Sequence, residues 1–424
     1  MPTEIKILGK GIEGMFIKND RFNTTLISFN FYLPIDKNRV AEFALLPFML
    51  TTTSDKYPSF TALNIKLSKL YGASLSASTE KVGDYQLLKV AISVIEDKYT
   101  FDEESLTKRA AELLCELVFN PKLENGVFAL EDTEREKRKA KEHILGEIAE
   151  KRIYAKTRLV EEMYENEPYG TAKCGTLEQV DAITGKSLYH AWLYMLKNSK
   201  IRVNVISSRL PDGFFDTVSE SFSAFERGDI PDCSLNTPTL HRETLKTVEE
   251  KMDVAQGKLV MGFSCDLVGD DFETLPLMIA VDIFGGGPYS RLFTYVREKQ
   301  SLCYYCSASA VRVKGFVSVS SGVEKENIEK AQSEILKQLE CVKNGEFTDF
   351  EFESSIKNTI DSLLSSEDSQ ETIDLWYTTK IANKKQISPI ELTEMIKSVT
   401  KKQVIEAAKG IKLNTVYKLL PKES

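Results

Sequence analysis

The hydrophobic pattern of the chain repeats itself. Polar and apolar residues alternate through Ala73-Ser-Leu-Ser-Ala-Ser-Thr79, and the apolar, β-branched segment Tyr85 to Val94 follows a turn at Val82-Gly83-Asp84. This predicts two neighbouring strands. The same arrangement returns at Tyr304 to Ala310 and at Gly315 to Ser321. A second pair supports the repeat. Ala182-Ile-Thr-Gly-Lys-Ser-Leu188 opens an amphipathic helix running to about Lys197, followed by the strand-like Ile201 to Ile206. Ser398-Val-Thr-Lys-Lys-Gln-Val404 opens another helix, followed by the strand-like Thr415 to Leu420. Thr184 and Thr400, 216 positions apart (400 − 184), are suited to N-capping because a hydroxyl can accept a bond from an unpaired amide of the first turn. The predicted class is α+β, with two similar domains, each a mostly antiparallel sheet packed with helices. The domains are expected at 1–228 and 242–424, with 229–241 as linker because it holds Pro231 and Pro238 and has no helical period.

Composition narrows the partners. The 424 residues carry 55 Lys+Arg against 63 Asp+Glu, a net charge of −8, which argues against nucleic acid as partner. The longest clean apolar stretch, Phe43 to Leu50, is far short of the ~20 residues of a membrane helix, and the N-terminus lacks the pattern of a secretory signal. Seven cysteines (115, 174, 233, 265, 303, 306, 341) are scattered rather than framed as disulfide pairs, so a reduced, cytoplasmic setting is expected. Only His143, His190 and His241 are available for imidazole chemistry. Thr133 to Lys151 mixes both charge signs at helical spacing and predicts a solvated helix with i,i+4 pairs.

The most specific segment runs from Phe284 to Cys306. A helix is expected to end at Phe284, with Gly285, Gly286 and Gly287 allowing backbone angles that a side chain would forbid. A second helix is expected to start near Tyr289 and to carry Arg291 and Arg297 before the strand through Tyr304. Taken alone, the glycines suit a tight connection. No Gly-Lys-Ser/Thr follows them, and Gly257-Lys258 is no phosphate loop either. Cys303-Tyr-Tyr-Cys306 has the spacing of a redox pair, but it enters a strand, where side chains three apart point to opposite faces.

The run Gly-Gly-Gly-x-x-Ser-Arg-Leu-Phe-x-x-Val-Arg-Glu-Lys-x-x-Leu-x-Tyr, from Gly285 to Tyr304, resembles the second-domain signature of the pitrilysin/insulinase (inverzincin) metallopeptidases. Gln256 to Phe263 resembles the opening strand of that domain. The resemblance implies a duplicated half clam-shell. It also implies that an Arg and a Tyr seven positions later bind the substrate carbonyl and the oxyanion of the tetrahedral intermediate. Arg297 and Tyr304 stand in those places (304 − 297 = 7), beside Gly285, Gly286 and Gly287. A cation and a phenol donor suit developing negative charge.

The zinc half of the family pattern is missing. Where H-x-x-E-H is expected, its histidines fall on Ala44 and Phe48 and its glutamate on Pro47. The family's distal glutamate ligand is assigned to Glu147, which shares a helical face with His143. His190 and His241 are expected to be structural or solvent-facing. The resemblance therefore implies a chain with no cofactor and no catalytic centre of its own. It would serve as a subunit that gives Arg297 and Tyr304 to a homologous, zinc-bearing partner for peptide hydrolysis, with homodimers also possible. Within the family it most resembles the bacterial type associated with aminopentanol modification of elongation factor P. The competing readings are a non-catalytic scaffold or peptide-binding module of the same fold, and a thiol-based redox protein.

Overall fold

The computed structural model describes residues 3–101, 105–234, 238–269, 272–383 and 385–422. Residues 235–237 of the expected linker lie outside them. The chain forms two compact units, and each takes a short segment from the other half of the sequence: 369–381 joins the first unit, and 145–170 joins the second.

The first unit is built on a six-stranded sheet. Its strands are β1 (Thr3–Gly9), β2 (Ile12–Lys18), β3 (Thr24–Pro34), β4 (Ser74–Val82), β5 (Tyr85–Ile95) and β6 (Lys200–Ser207), in the spatial order β1-β2-β6-β3-β5-β4. Every pair is antiparallel except β2 with β6. β3 is central and buried along almost its whole length, as a strand covered on both faces must be. Its inward polar residues bond within the unit: Ser28 Oγ donates to Asp374, and Asn30 Nδ2 donates to Ser28 Oγ and to the carbonyl of Arg202. The turn between β4 and β5 is made by Gly83 at φ +56°, where glycine meets no Cβ penalty.

The second unit repeats this order with one strand fewer. β7 (Lys246–Met252), β8 (Gly257–Cys265), β9 (Cys303–Val311), β10 (Phe316–Val323) and β11 (Ile411–Pro421) lie as β9-β10-β8-β11-β7, antiparallel except for β11 with β7. Strand for strand this matches β4-β5-β3-β6-β2. The helices before β6 and β11, α4 (Gly185–Asn198) and α7 (Lys401–Lys409), begin at Thr184 and Thr400, each with a complete capping box.

The exchanged segments are equivalent helices. α6 (Gln370–Thr378) packs on β3 and β6 of the first sheet, burying Ile373 and Tyr377 and pointing Asp374 at Ser28 and Asn204. α3 (Lys151–Met163) packs on β8 and β11 of the second sheet through Ala155, Leu159 and Met163, and Gly262 leaves room for the Met163 sulfur. Lacking sequence likeness, the two helices carry no signal that would have marked them as a pair.

The charged segment from Thr133 lies in α2 (Leu130–Ala149). Its ion pairs include Asp132–Arg135 at 2.5 Å, Glu134–Lys137 at 2.8 Å and Glu136–Lys139 at 2.9 Å, all at i,i+3. It is also not simply solvated. Glu136 and Lys137 are buried, and Lys137 Nζ donates to the carbonyls of Asp181 and Ile183. Among the described residues no helix is long and apolar enough to cross a membrane.

Candidate functional site

In the first unit the residues aligned with the zinc motif lie on α1 (Val40–Leu50), a helix apolar almost all round and buried except near Phe48. Pro47 stands inside the helix, so one backbone donor is missing there; the chain nonetheless stays helical to Leu50, and Thr51 N–H and Oγ1 both donate to the Pro47 carbonyl. Ala44 is buried, while Phe48 is 42% exposed. Together with Leu45 they line a cavity of about 330 Å³ closed by residues 77–80 of β4, by Glu136, Lys139, Ala140 and His143 of α2, and by Lys173 and Cys174. Its carboxylates are paired, Glu136 with Arg135 and Lys139, and Glu80 with Lys173 at 3.4 Å. The wall formed by α1 offers no oxygen, nitrogen or sulfur side-chain donor, so these residues do not fit a zinc ion. Among the described residues no group of three or more His, Cys, Asp or Glu is placed to hold a metal. Of His143 and Glu147 on α2, His143 lines this cavity and Glu147 does not. His190 is exposed against the Tyr189 ring, and His241 is exposed with Nδ1 3.3 Å from Ser264 Oγ.

In the second unit the signature segment follows α5 (Leu275–Gly285). None of Gly285, Gly286 or Gly287 adopts a positive φ; Gly286 is helical at φ −84°. Their role is close approach instead. A Cβ on Gly285 would lie 2.5 Å from the backbone nitrogen of Ala308, so the helix end packs directly on β9. A Cβ on Gly286 would collide with the Asp282 carboxylate, which accepts bonds from the Tyr289 hydroxyl and, at 2.8 Å, from Asn358 Nδ2. Burial raises the Asp282 pKa, and these donors act against that rise.

The expected helix after the glycines is a π-helical turn, Leu292–Lys299, a widening that inserts an extra residue per turn. Its two arginines have different fates. Arg291 is buried, donating to Gln338 at 2.9 Å and to the Glu346 carbonyl at 2.6 Å, with Glu351 at 3.3 Å. Arg297 keeps 41% of its side chain exposed, over the Phe293 ring and 3.6 Å from Glu298. Leu302 N–H donates to the Val296 carbonyl at 3.1 Å, and Ser301 takes φ +52° to make the turn. That bond ties the end of the π turn to the start of β9 and so brings the segments bearing Arg297 and Tyr304 together. Tyr304 is 64% exposed, and its phenol is pushed up chiefly by the neighbouring Glu324 carboxylate. The arrangement presents a cation and a phenol donor at the head of an edge strand, which suits an anionic or carbonyl oxygen.

Over 417 residues the chain is 30% identical to the protein called "Probable inactive metalloprotease YmfF" of Bacillus subtilis, covering 98% of this chain and 97% of that one. The chain belongs to the M16 peptidase family. The family pattern described as "Peptidase M16 inactive domain" matches residues 184–359, the stretch holding the glycines, the π turn and β9. The fold is that of a conserved protein from Enterococcus faecalis V583 (TM-score 0.91, 24% identity, 100% of this chain and 99% of that one). It is also that of a structure titled as a peptidase M16 inactive domain from Pseudomonas fluorescens (TM-score 0.79, 16% identity, 100% and 99%). The α+β architecture and the M16 kinship inferred from the glycine-rich signature therefore hold.

Sequence reasoning missed the cavity residues of β4 and α2. An α1 apolar in all but Glu42 gives no hint that part of it borders open space. The alternation of β4 marks its two faces but not what lies opposite.

Proposed function

We propose that this M16 homologue is the zinc-lacking subunit of a two-chain peptidase, giving Arg297 and Tyr304 to a peptide held by a homologous, H-x-x-E-H-bearing partner. One observation carries the reading. The chain exposes a cation and a phenol at a built junction, while the helix aligned with the zinc motif has no ligand to offer. Arg297 and Tyr304 would bind the carbonyl oxygen of the peptide, with Gly285 to Gly287 fixing the helix end behind them. An extended peptide would add to an edge strand through main-chain bonds. The zinc ion and the general base would be the partner's.

The test is co-expression with such a homologue, then peptide cleavage by each chain alone and by the mixture. Cleavage by the mixture alone is expected. Arg297→Ala and Tyr304→Phe should each lower kcat of the mixture by about 10²-fold, the usual cost of one oxyanion donor. Zinc-dependent cleavage by this chain alone would overturn the reading, and unaffected variants would overturn the residue roles. The cavity beside β4 favours a second reading, a peptide-binding module without hydrolysis, because an apolar pocket next to a sheet edge can seat one side chain of an added strand. Peptide capture by the chain alone, with no cleavage in any mixture, would select it.

A further inference from the structure

β9 enters its sheet with one residue too many. Cys303 pairs with Val323 of β10 and Tyr305 with Gly322, so Tyr304 is the extra residue of a β-bulge and the alternation restarts one step late. The opposite-face expectation for Cys303 and Cys306 fails for this reason. Across the bulge they pair with Val323 and Ser321, which are two apart on β10 and share a face. Ala308, next along that face, meets Gly285 of α5, so both cysteines look toward the helix layer and both are buried. The register sets the two thiols as neighbours on that face, beside Ser321, whose Oγ donates to the Tyr305 carbonyl at 3.0 Å. Tyr305 looks the other way, its ring under the Arg152 guanidinium. All seven cysteines are free.

We propose that Cys303 and Cys306 form a reversible dithiol–disulfide site, closed by low-molecular-weight disulfides, and that closure fixes the bulge that presents Tyr304. The neighbouring Cys306 thiol holds the Cys303 thiol below the usual range; burial opposes this, and Ser321 and the Arg297 charge assist it. The neighbouring Cys303 thiol and burial push Cys306 up. Cys303 is therefore the attacking thiolate. Its sulfur attacks one sulfur of an oxidised disulfide such as glutathione disulfide, expelling one thiolate and leaving a mixed disulfide. Cys306 gives its proton to the expelled thiolate, attacks the Cys303 sulfur and releases the second glutathione as a thiolate, which recovers the proton Cys303 had lost to solvent. Two protein thiols are oxidised and one small disulfide is reduced to two thiols. The disulfide site stands independently of any substrate at Arg297 and Tyr304; only its consequence for catalysis rests on that reading.

The full chain, equilibrated in glutathione buffers of rising oxidised fraction, is alkylated and cut with trypsin. The fragment between Lys299 and Arg312 holds both cysteines. Its expected form under oxidation is an unlabelled peptide lacking two hydrogens, which regains both labels after reduction. Amide exchange over residues 303–306 should slow several-fold in the oxidised chain. Cys306→Ser should instead trap a single glutathione on Cys303. If that variant does not fold, Cys303→Ser serves in its place and should leave Cys306 without an adduct. The proposal is overturned if both thiols label at every ratio, if they end as two separate glutathione adducts, or if exchange is the same in both redox forms. Because mass and exchange are read without a partner or a substrate, their failure is distinct from failure of the peptidase reading.

Discussion

In one unit, α1 lies against the edge strand β4 and a cavity of about 330 Å³ stays open between them. In the other, the equivalent helix α5 lies against the edge strand β9, and Gly285 brings helix backbone onto strand backbone at Ala308. The difference comes from the helix ends. The last turn of α1 holds Pro47 and Phe48, with Phe48 exposed beside the cavity. α5 ends in glycines, and the chain then widens into the π turn that supports Arg297. A duplicated frame has thus kept a concave apolar wall in one copy and a tightly closed, polar-tipped junction in the other. Chemistry can be lost from the first without disturbing the second, because the two are held by separate packing.

The change with the largest expected effect rebuilds the wall of α1. Ala44→His, Pro47→Glu and Phe48→His together would set two imidazoles one helical turn apart, facing the cavity that His143 also lines. The triple variant is expected to retain one zinc per chain after dialysis, as measured by elemental analysis, where the parent retains none. A zinc-free variant with unchanged circular dichroism would show that the two helix ends differ by more than their side chains.

The closed junction is tested by the same substitution at two glycines. Gly285→Ala puts a Cβ against the Ala308 backbone, which has no flexible end to move aside, and should cost about 1–3 kcal/mol in urea unfolding. Gly146→Ala lies in α2 with nothing within 4 Å of the added carbon and should gain up to about 1 kcal/mol from helix propensity. Equal effects at both sites would mean that Gly285 is not packed as described.

How much of this was legible in the sequence depends on how local the signal is. The threonine caps at 184 and 400 and the glycine turn at 83 are written in a few adjacent residues, and these elements formed where the pattern put them. The reason for Gly285 to Gly287 was misread. Glycine suits both a left-handed backbone and a close approach, and only the position of Ala308 tells which applies. Likewise nothing near Arg291 and Arg297 distinguishes the buried anchor from the exposed one, since the burying groups, Gln338, Glu346 and Glu351, are far along the chain. The bulge at Tyr304 is a property of the β9–β10 register, so a parity argument made on β9 alone had to fail.

The smallest expected effect concerns Tyr304 itself. Its phenol neighbours the Glu324 carboxylate, and a proton beside an anion is harder to remove, so its pKa lies above the ordinary tyrosine value. The favourable interaction is present at neutral pH and below the ordinary tyrosine range, and its contribution is lost as pH rises through the folded-state value. Glu324→Gln removes the anion and should move the ionisation of Tyr304 back down, read as tyrosinate absorbance during alkaline titration and assigned by difference from Tyr304→Phe. The group is exposed, so the effect on unfolding should be too small to resolve, while the shift in titration should be clear. It also bears on the peptidase reading: a phenol drawn toward the Glu324 carboxylate must turn its proton to the carbonyl of a peptide instead. Glu324→Gln should therefore tighten peptide capture if Tyr304 is a substrate donor, and leave it unchanged if Tyr304 only caps the bulge.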